Sequence, residues 1–172
     1  LLFLNNDTIV TADFISELVK GIETDKKTAI CQSLLLKPDG SIDSSGDFID
    51  TIGIVYNSKE PIDGIREISS ARGASMITRK KLFVELGGFD EMFFVSFEDV
   101  DLGWRTWIKG YKVVINPKSI VYHHGGKTHV SIKNEIAFHG FKNQLSMKIT
   151  NFEPTHRINS LLKFFFIFGL RE

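Results

Sequence analysis

The chain has one cysteine, four prolines and no excess of charge of either sign. A lone thiol closes no internal disulfide, and Cys31 stands inside the apolar run AICQSLLL. The sequence therefore describes a core without cross-links, a buried thiol and a reducing compartment. Lys plus Arg number 21 and Asp plus Glu number 21, which removes the electrostatic case for general nucleic-acid binding and leaves any anion to be held locally. Long apolar runs are missing as well. The most apolar stretch, LLKFFFIFGL at 161–170, carries Lys163 and is about half of the roughly 20 residues that a spanning helix needs. It reads as an amphipathic or interfacial segment, as a helix against another domain, or as the start of a longer membrane helix. There is no repeat, low-complexity tract or internal linker, so one domain is expected. Residue 1 is not Met and already belongs to the strand-like run LLFL, so the sequence reads as a piece of something larger.

What is present is a chain of 172 residues, 42% apolar, 24% charged and 12% aromatic, which buries a real core and excludes disorder or coiled coil. Residues 1–4 read as a buried strand. Phe14, Ile15, Leu18, Val19 and Ile22 then recur at helical spacing behind the cap candidates Thr11 and Asp13. A second strand is expected at 29–36, followed by the turn Lys37-Pro38-Asp39-Gly40. Residues 41–70, rich in Gly, Asp and Ser, predict an irregular or hairpin segment. A strand at 74–78, a short helix at 79–86 and its stop at Gly87-Gly88 follow. Ser96 is placed to cap a helix running from 97 to about 109, with Asp99 completing a capping box and Gly110 closing the end. Two strands, 111–115 and 119–124, are expected around an Asn116-Pro117 turn, then a helix at about 133–149. Strands alternating with helices define an α/β class with a mostly parallel sheet, whose chemistry belongs at the carboxyl ends of strands.

Three clusters carry possible chemistry. Asn5-Asn6-Asp7 ends a strand, where a carboxylate beside amide oxygens either holds a hard cation such as Mg²⁺ or Mn²⁺ or simply makes a turn. Behind an aromatic run, Glu98, Asp99 and Asp101 crowd into four positions. Mutual repulsion there raises proton affinity and makes a general base, while three acids in a first turn equally suit the helix dipole. His123 and His124 end a strand and point to opposite faces, so one is available as a metal ligand and either serves equally as a hydrogen-bonded structural residue. Arg72-Gly73-Ala74-Ser75 and Gly87-Gly88-Phe89-Asp90 allow backbone amides to approach a ligand, or are plain turns. His129, His139 and His156 show no partner spacing and receive no role.

In order and spacing, the strand ending in NND, the PDG turn, the GAS strand start and GGFDEMFFVSFEDVDLGWRTWIKGYKVVINPKSIVYHHGG resemble the catalytic half of family 2 glycosyltransferases, notably rhamnosyltransferase-like ones, over about residues 1–150. The resemblance implies a GT-A fold, a Rossmann-like α/β domain whose N-terminal nucleotide-binding part is missing here. Residues 1–150 would be its metal, acceptor and catalytic portion and 151–172 an apolar helical extension. It implies inverting transfer of a sugar, hexosyl or rhamnosyl, from a nucleotide-diphosphate sugar to a hydroxyl of a glycan or lipid-linked acceptor. By this resemblance Asp7, in a DxD-like position where Asn5 replaces the usual first acid, and His123, preferred to His124, hold Mg²⁺ or Mn²⁺ on the donor diphosphate, with Asn5 and Asn6 beside the donor. Asp99 of the ED motif is the base, Glu98 and Asp101 orient or bind the acceptor, and Gly73, Gly88, Trp104 and Arg105 line the acceptor side. It further implies polysaccharide or cell-envelope biosynthesis in the cytoplasm at the inner membrane face, peripheral membrane association, a homo-oligomer, and an inactive chain without the preceding half. Two other classes compete. One is a noncatalytic carbohydrate-binding module with Phe93, Phe94, Phe97, Trp104 and Trp107 as a sugar platform. The other is a metal-dependent nucleotidyltransferase or phosphohydrolase using the same Asp and His.

Overall fold

The computed structural model describes residues 1–125 and 133–169. In chain order its elements are strands β1 (Leu2–Leu4) and β2 (Thr8–Val10), helix α1 (Phe14–Glu23), strands β3 (Thr28–Leu36), β4 (Ile42–Ser44), β5 (Asp47–Ile49), β6 (Val55–Asn57), β7 (Arg66–Glu67) and β8 (Ser75–Thr78), helices α2 (Lys80–Glu85) and α3 (Glu98–Ile108), strand β9 (Lys112–His123), and helices α4 (Lys133–Asn151) and α5 (Pro154–Gly169). The main sheet runs β1-β8-β3-β9-β2, with β4 added to β3 and β7 to β9; β5 and β6 form a separate hairpin.

The α/β class holds, but the sheet is mixed rather than mostly parallel. Of the pairings in it only β3 with β9 is parallel. Parallel neighbours need a crossover, usually a helix, and the chain between β3 and β8 supplies only short strands and loops, so β8 returns antiparallel. β1 is likewise an edge strand and not a buried one, with Leu2 and Leu4 about two-fifths exposed. The expected pair of strands around Asn116-Pro117 is one continuous strand, β9. Its register against β3 jumps from Asn116 to Ile120, so Pro117, which has no N–H to give, sits in a bulge. The bulge fastens α1: Asn116 Nδ2 donates to Glu17 O at 2.8 Å and Ser119 Oγ to Phe14 O at 2.8 Å.

Alternation along β3 and β9 divides the core. On one face Cys31, Leu35, Val114 and Val121 pack against Phe14, Leu18 and Ile22 of α1. On the other, Ile30, Val113 and Ile115 meet Ile68, Leu82 and Leu102. Cys31 is fully buried and its thiol pushed up to about 12 by desolvation, as expected of a core thiol. A third group, Phe93, Val100 and Met147, joins α3 to α4. Along α5, Ser160 and Phe164 face inward while Ile158, Leu162, Phe165 and Phe166 lie exposed on the opposite side. Among the described residues no helix is long and apolar enough to cross a membrane.

Candidate active site

A cleft of about 780 Å³ opens where β1 ends and α3 begins, lined among others by Asn5, Asp47, Asn57, Arg72, Gly73, Glu98 and Asp99. Its acidic wall is built by an unusual helix start. Ser96 is not the cap: Ser96 and Phe97 both take left-handed backbone, with φ of 66° and 73°, and α3 begins at Glu98 with no side-chain cap. The capping box fails because the Asp99 carboxylate is turned outward, where Oδ2 accepts the Gly73 N–H at 2.9 Å and Oδ1 the Val100 N–H at 2.8 Å. Gly73 contributes that amide and not a missing side chain, since a β-carbon there would meet Asp99 Oδ2 at an ordinary 3.8 Å.

Desolvation raises the Asp99 carboxyl above the usual carboxylate range, against the pull of its two backbone N–H donors and of Arg72. Glu98 is raised to about 7 by burial and then by the neighbouring Asp99 charge, and its Oε2 is buried without a partner. Asp47 on β5, 5% exposed, accepts the Arg72 Nε at 3.2 and 3.1 Å, and burial still lifts it to about 6. Three acids of raised proton affinity and one guanidinium thus share one wall.

The second focus lies at the carboxyl end of β9. His123 Nε2 is 3.6 Å from Asp7 Oδ1, beyond hydrogen-bond length, while His123 Nδ1 is 3.0 Å from Asp43 Oδ2. Pairing of β2 with β9 and the bond from His124 N to Asp7 O, 3.0 Å, bring the NND loop to this strand end. Asp43 on β4 is held in turn through its carbonyl by Asn57 Nδ2 at 2.7 Å, and Asn57 faces the cleft. A carboxylate on Nδ1 accepts a hydrogen bond from that nitrogen and orients the ring so that Nε2 faces Asp7. Among the described residues no group of three or more His, Cys, Asp or Glu is placed to hold a metal ion. An oxygen and an imidazole nitrogen side by side nonetheless suit Mn²⁺, or Mg²⁺ less well, with the remaining positions left to ligand oxygens and water.

Several expected site residues stand elsewhere. Asp101 is 2% exposed and is engaged by Arg105 at 2.7 Å and Asn151 at 2.8 Å. Arg105 also donates to the carbonyls of Leu86 and Gly88, so it ties down the glycine turn and does not reach the cleft. Gly88, at φ of 70°, is that turn. Trp104 packs edge-on against Phe152 at 4.7 Å, and Trp107 Nε1 donates to Ile68 O at 3.0 Å. With Phe93 buried too, the five aromatic residues share no single exposed face: Phe94 and Phe97 line the cleft, and Phe94 is 82% exposed. Asn5 lines the cleft, Asn6 is exposed, and His124 is exposed. His139 rests against Phe94 and Phe138, and His156 stacks on Phe152; His129 lies outside the described residues. Asp43, Asp47 and Asn57 were missed by sequence reasoning, because nothing in the sequence separates them from the other polar residues of 41–70.

A mixed sheet with helices on both faces and an acid-lined cleft at strand ends defines a GT-A-type protein. A solved structure, GalNAc-T7 with UDP, GalNAc and Mn²⁺, superposes with a TM-score of 0.56 at 16% identity, over 71% of this chain and 27% of that one. The chain belongs to glycosyl transferase family group 2, whose model matches residues 1–146. It is 32% identical over 137 residues, 72% of its length and 11% of the relative's, to the O-antigen biosynthesis protein RfbC of Myxococcus xanthus. To the N-acetylglucosaminyl-diphospho-decaprenol L-rhamnosyltransferase of Mycobacterium tuberculosis it is 39% identical over 59 residues, 34% of this chain and 19% of that one. The chain therefore spans between a tenth and a fifth of the length of these curated relatives.

Proposed function

We propose that this chain carries the base and the metal-binding end of an inverting glycosyltransferase, which moves a sugar from a nucleotide-diphosphate donor to a hydroxyl of a glycan or lipid-linked acceptor. The observation that carries the reading is Asp99: a carboxylate of raised proton affinity, half-buried at the cleft wall and aimed by the Gly73 amide. Asp99 takes the proton of the acceptor hydroxyl as that oxygen attacks the anomeric carbon from the face opposite the leaving diphosphate, which inverts the configuration. Burial keeps the proton affinity of Asp99 high and Arg72 limits that rise, while the Asp99 charge in turn raises Glu98. At the other end Asp7 and His123 would hold Mn²⁺ or Mg²⁺, which supplies charge neutralisation to the departing diphosphate. Asp43 orients His123, and Asn5 contributes an amide beside the donor. The relatives are named for O-antigen biosynthesis and for rhamnosyl transfer to N-acetylglucosaminyl-diphospho-decaprenol, which supports polysaccharide synthesis on a lipid-diphosphate acceptor.

The test pairs binding with transfer. Mn²⁺-dependent binding of UDP or dTDP is expected to be lost in Asp7→Ala and His123→Ala and kept in Asp99→Asn. Transfer from a UDP- or dTDP-sugar is expected to fall by about 10²–10⁴ in Asp99→Asn. Phosphate release that needs no acceptor, or transfer that survives Asp99→Asn, would sink the reading; the first outcome would favour a phosphohydrolase.

A further inference from the structure

Ser96 and Phe97, left-handed in succession, sit immediately before Glu98 and Asp99. A β-carbon makes that backbone strained, most of all at a bulky Phe, and such strain persists only where the surroundings over-determine it. The surroundings come from α4. Asn143, 0% exposed, donates from Nδ2 to both Val95 O at 2.8 Å and Ser96 O at 2.7 Å. Two carbonyl acceptors fix which end of its amide faces the turn, and Oδ1 is buried with no partner, so all of the side chain's hydrogen bonding goes to this turn. On the same stripe of α4, Lys142 Nζ donates to Met92 O at 3.1 Å, His139 lies 5.7 Å from the Phe94 ring, and Met147 packs with Phe93 and Val100. The closed turn sets the direction of the first turn of α3, where Asp101 N reaches Phe97 O at 2.9 Å and Asp99 meets Gly73.

We propose that Asn143 is a positioning residue for Asp99: by holding the carbonyls of Val95 and Ser96 it keeps the left-handed turn closed and the Asp99 carboxylate against the Gly73 amide. The inference rests on Asp99 as the base, yet the placement itself is measured without turnover.

Hydrogen exchange at the Gly73 amide reads the placement directly, with core amides of β3 as the internal reference. Asn143→Ala is expected to speed Gly73 exchange by about tenfold relative to β3, and Asn143→Asp by more, because a carboxylate then faces two carbonyl oxygens. Asn143→Ser, which keeps one donor and perturbs folding least, should fall between. Adding Ser96→Gly to any of these removes the strain at that position and should restore Gly73 protection, a rescue that a residue merely attaching α4 would not show. Gly73 exchange that changes only in step with β3, or acceleration that Ser96→Gly leaves in place, would overturn the proposal. Failure of Asp99 as the base would appear instead as sugar transfer surviving Asp99→Asn, with Gly73 exchange unaffected by that result.

Discussion

Asp43 makes the sharpest test of the proposed metal end, because its carboxylate meets His123 and is not itself among the proposed metal ligands. Its Oδ2 lies 3.0 Å from Nδ1, and the two side chains are 21% and 15% exposed, so little water is at hand to replace the bond. As a carboxylate it accepts only, which places the imidazole proton on Nδ1 and leaves the Nε2 lone pair facing Asp7. Asn at this position presents either end of its amide. When its NH₂ faces Nδ1, the proton moves to Nε2 and the lone pair toward Asp7 is lost. Removing a carboxylate of this kind costs about 10- to 100-fold in metal affinity, or about 1.4–2.7 kcal/mol. Asp43→Asn is expected near the lower figure and Asp43→Leu, which loses orientation as well, near the upper. Calorimetric titration of Mn²⁺ with UDP, run beside Asp7→Ala, measures both. Equal affinity in wild type and Asp43→Leu, with binding still lost in His123→Ala, would refute the orientation argument. No Mn²⁺ binding by the folded wild-type chain would refute the metal end itself.

Stability should fall as pH rises from 5 to 8. Glu98, Asp99 and Asp47 hold protons more tightly folded than unfolded, so their charging opposes folding from about the ordinary carboxylate value up to about 7 for Glu98 and about 6 for Asp47, and is complete above that. Lys148, lowered to about 8 by burial, works against this fall only at the upper end of the range. Melting temperatures across pH 5–8 check the sign, and a melting temperature that rises over that range would contradict it. Gly103→Ala should destabilise by about 1–3 kcal/mol in urea. A β-carbon there would come within 2.6 Å of Ser70 Cβ, 2.8 Å of Ser70 Cα and 2.9 Å of Ser69 O, and two of those three atoms are backbone, so α3 would have to move off the 69–70 segment.

The parts of this molecule legible in the sequence are those whose signal is local. Apolar periodicity located α1, β3, α3 and α4 within one or two residues, and Gly40, Gly87, Gly88 and Gly110 marked turns that do need positive φ. Long-range pairing is not local, so β1 was read as buried and the sheet as mostly parallel. The Pro117 bulge was read as a turn because its only distinguishing feature is register against β3, 80 or so residues away. At the site, Asp7, His123 and Asp99 stood out because each ends or opens an element in a recurring motif. Asp43, Asp47 and Asn143 did not. Their placement depends on where β4, β5 and α4 land, and Asp101 shows the converse: adjacent in sequence to the motif, it faces inward to Arg105 and Asn151.

The charge balance of the cleft gives the two ends a common logic. Among the described residues lining it, Asp47, Glu98 and Asp99 are acids and Arg72 is the sole cation, with its Nε already committed to Asp47. A wall of this kind repels a diphosphate, so under the proposed function an anionic donor needs positive charge brought in where Asp7 and His123 lie. Burial raises the proton affinity of Asp99, which is what the proposed base needs if it is to take a proton from a hydroxyl near neutral pH. Arg72 limits both rises, since its guanidinium lowers Asp47 and Asp99 alike. Asp47 thus shares Arg72 between two acids. The hairpin that carries Asp47 belongs to the segment between β3 and β8 that looks least ordered in the sequence, and it brings that carboxylate to the cleft.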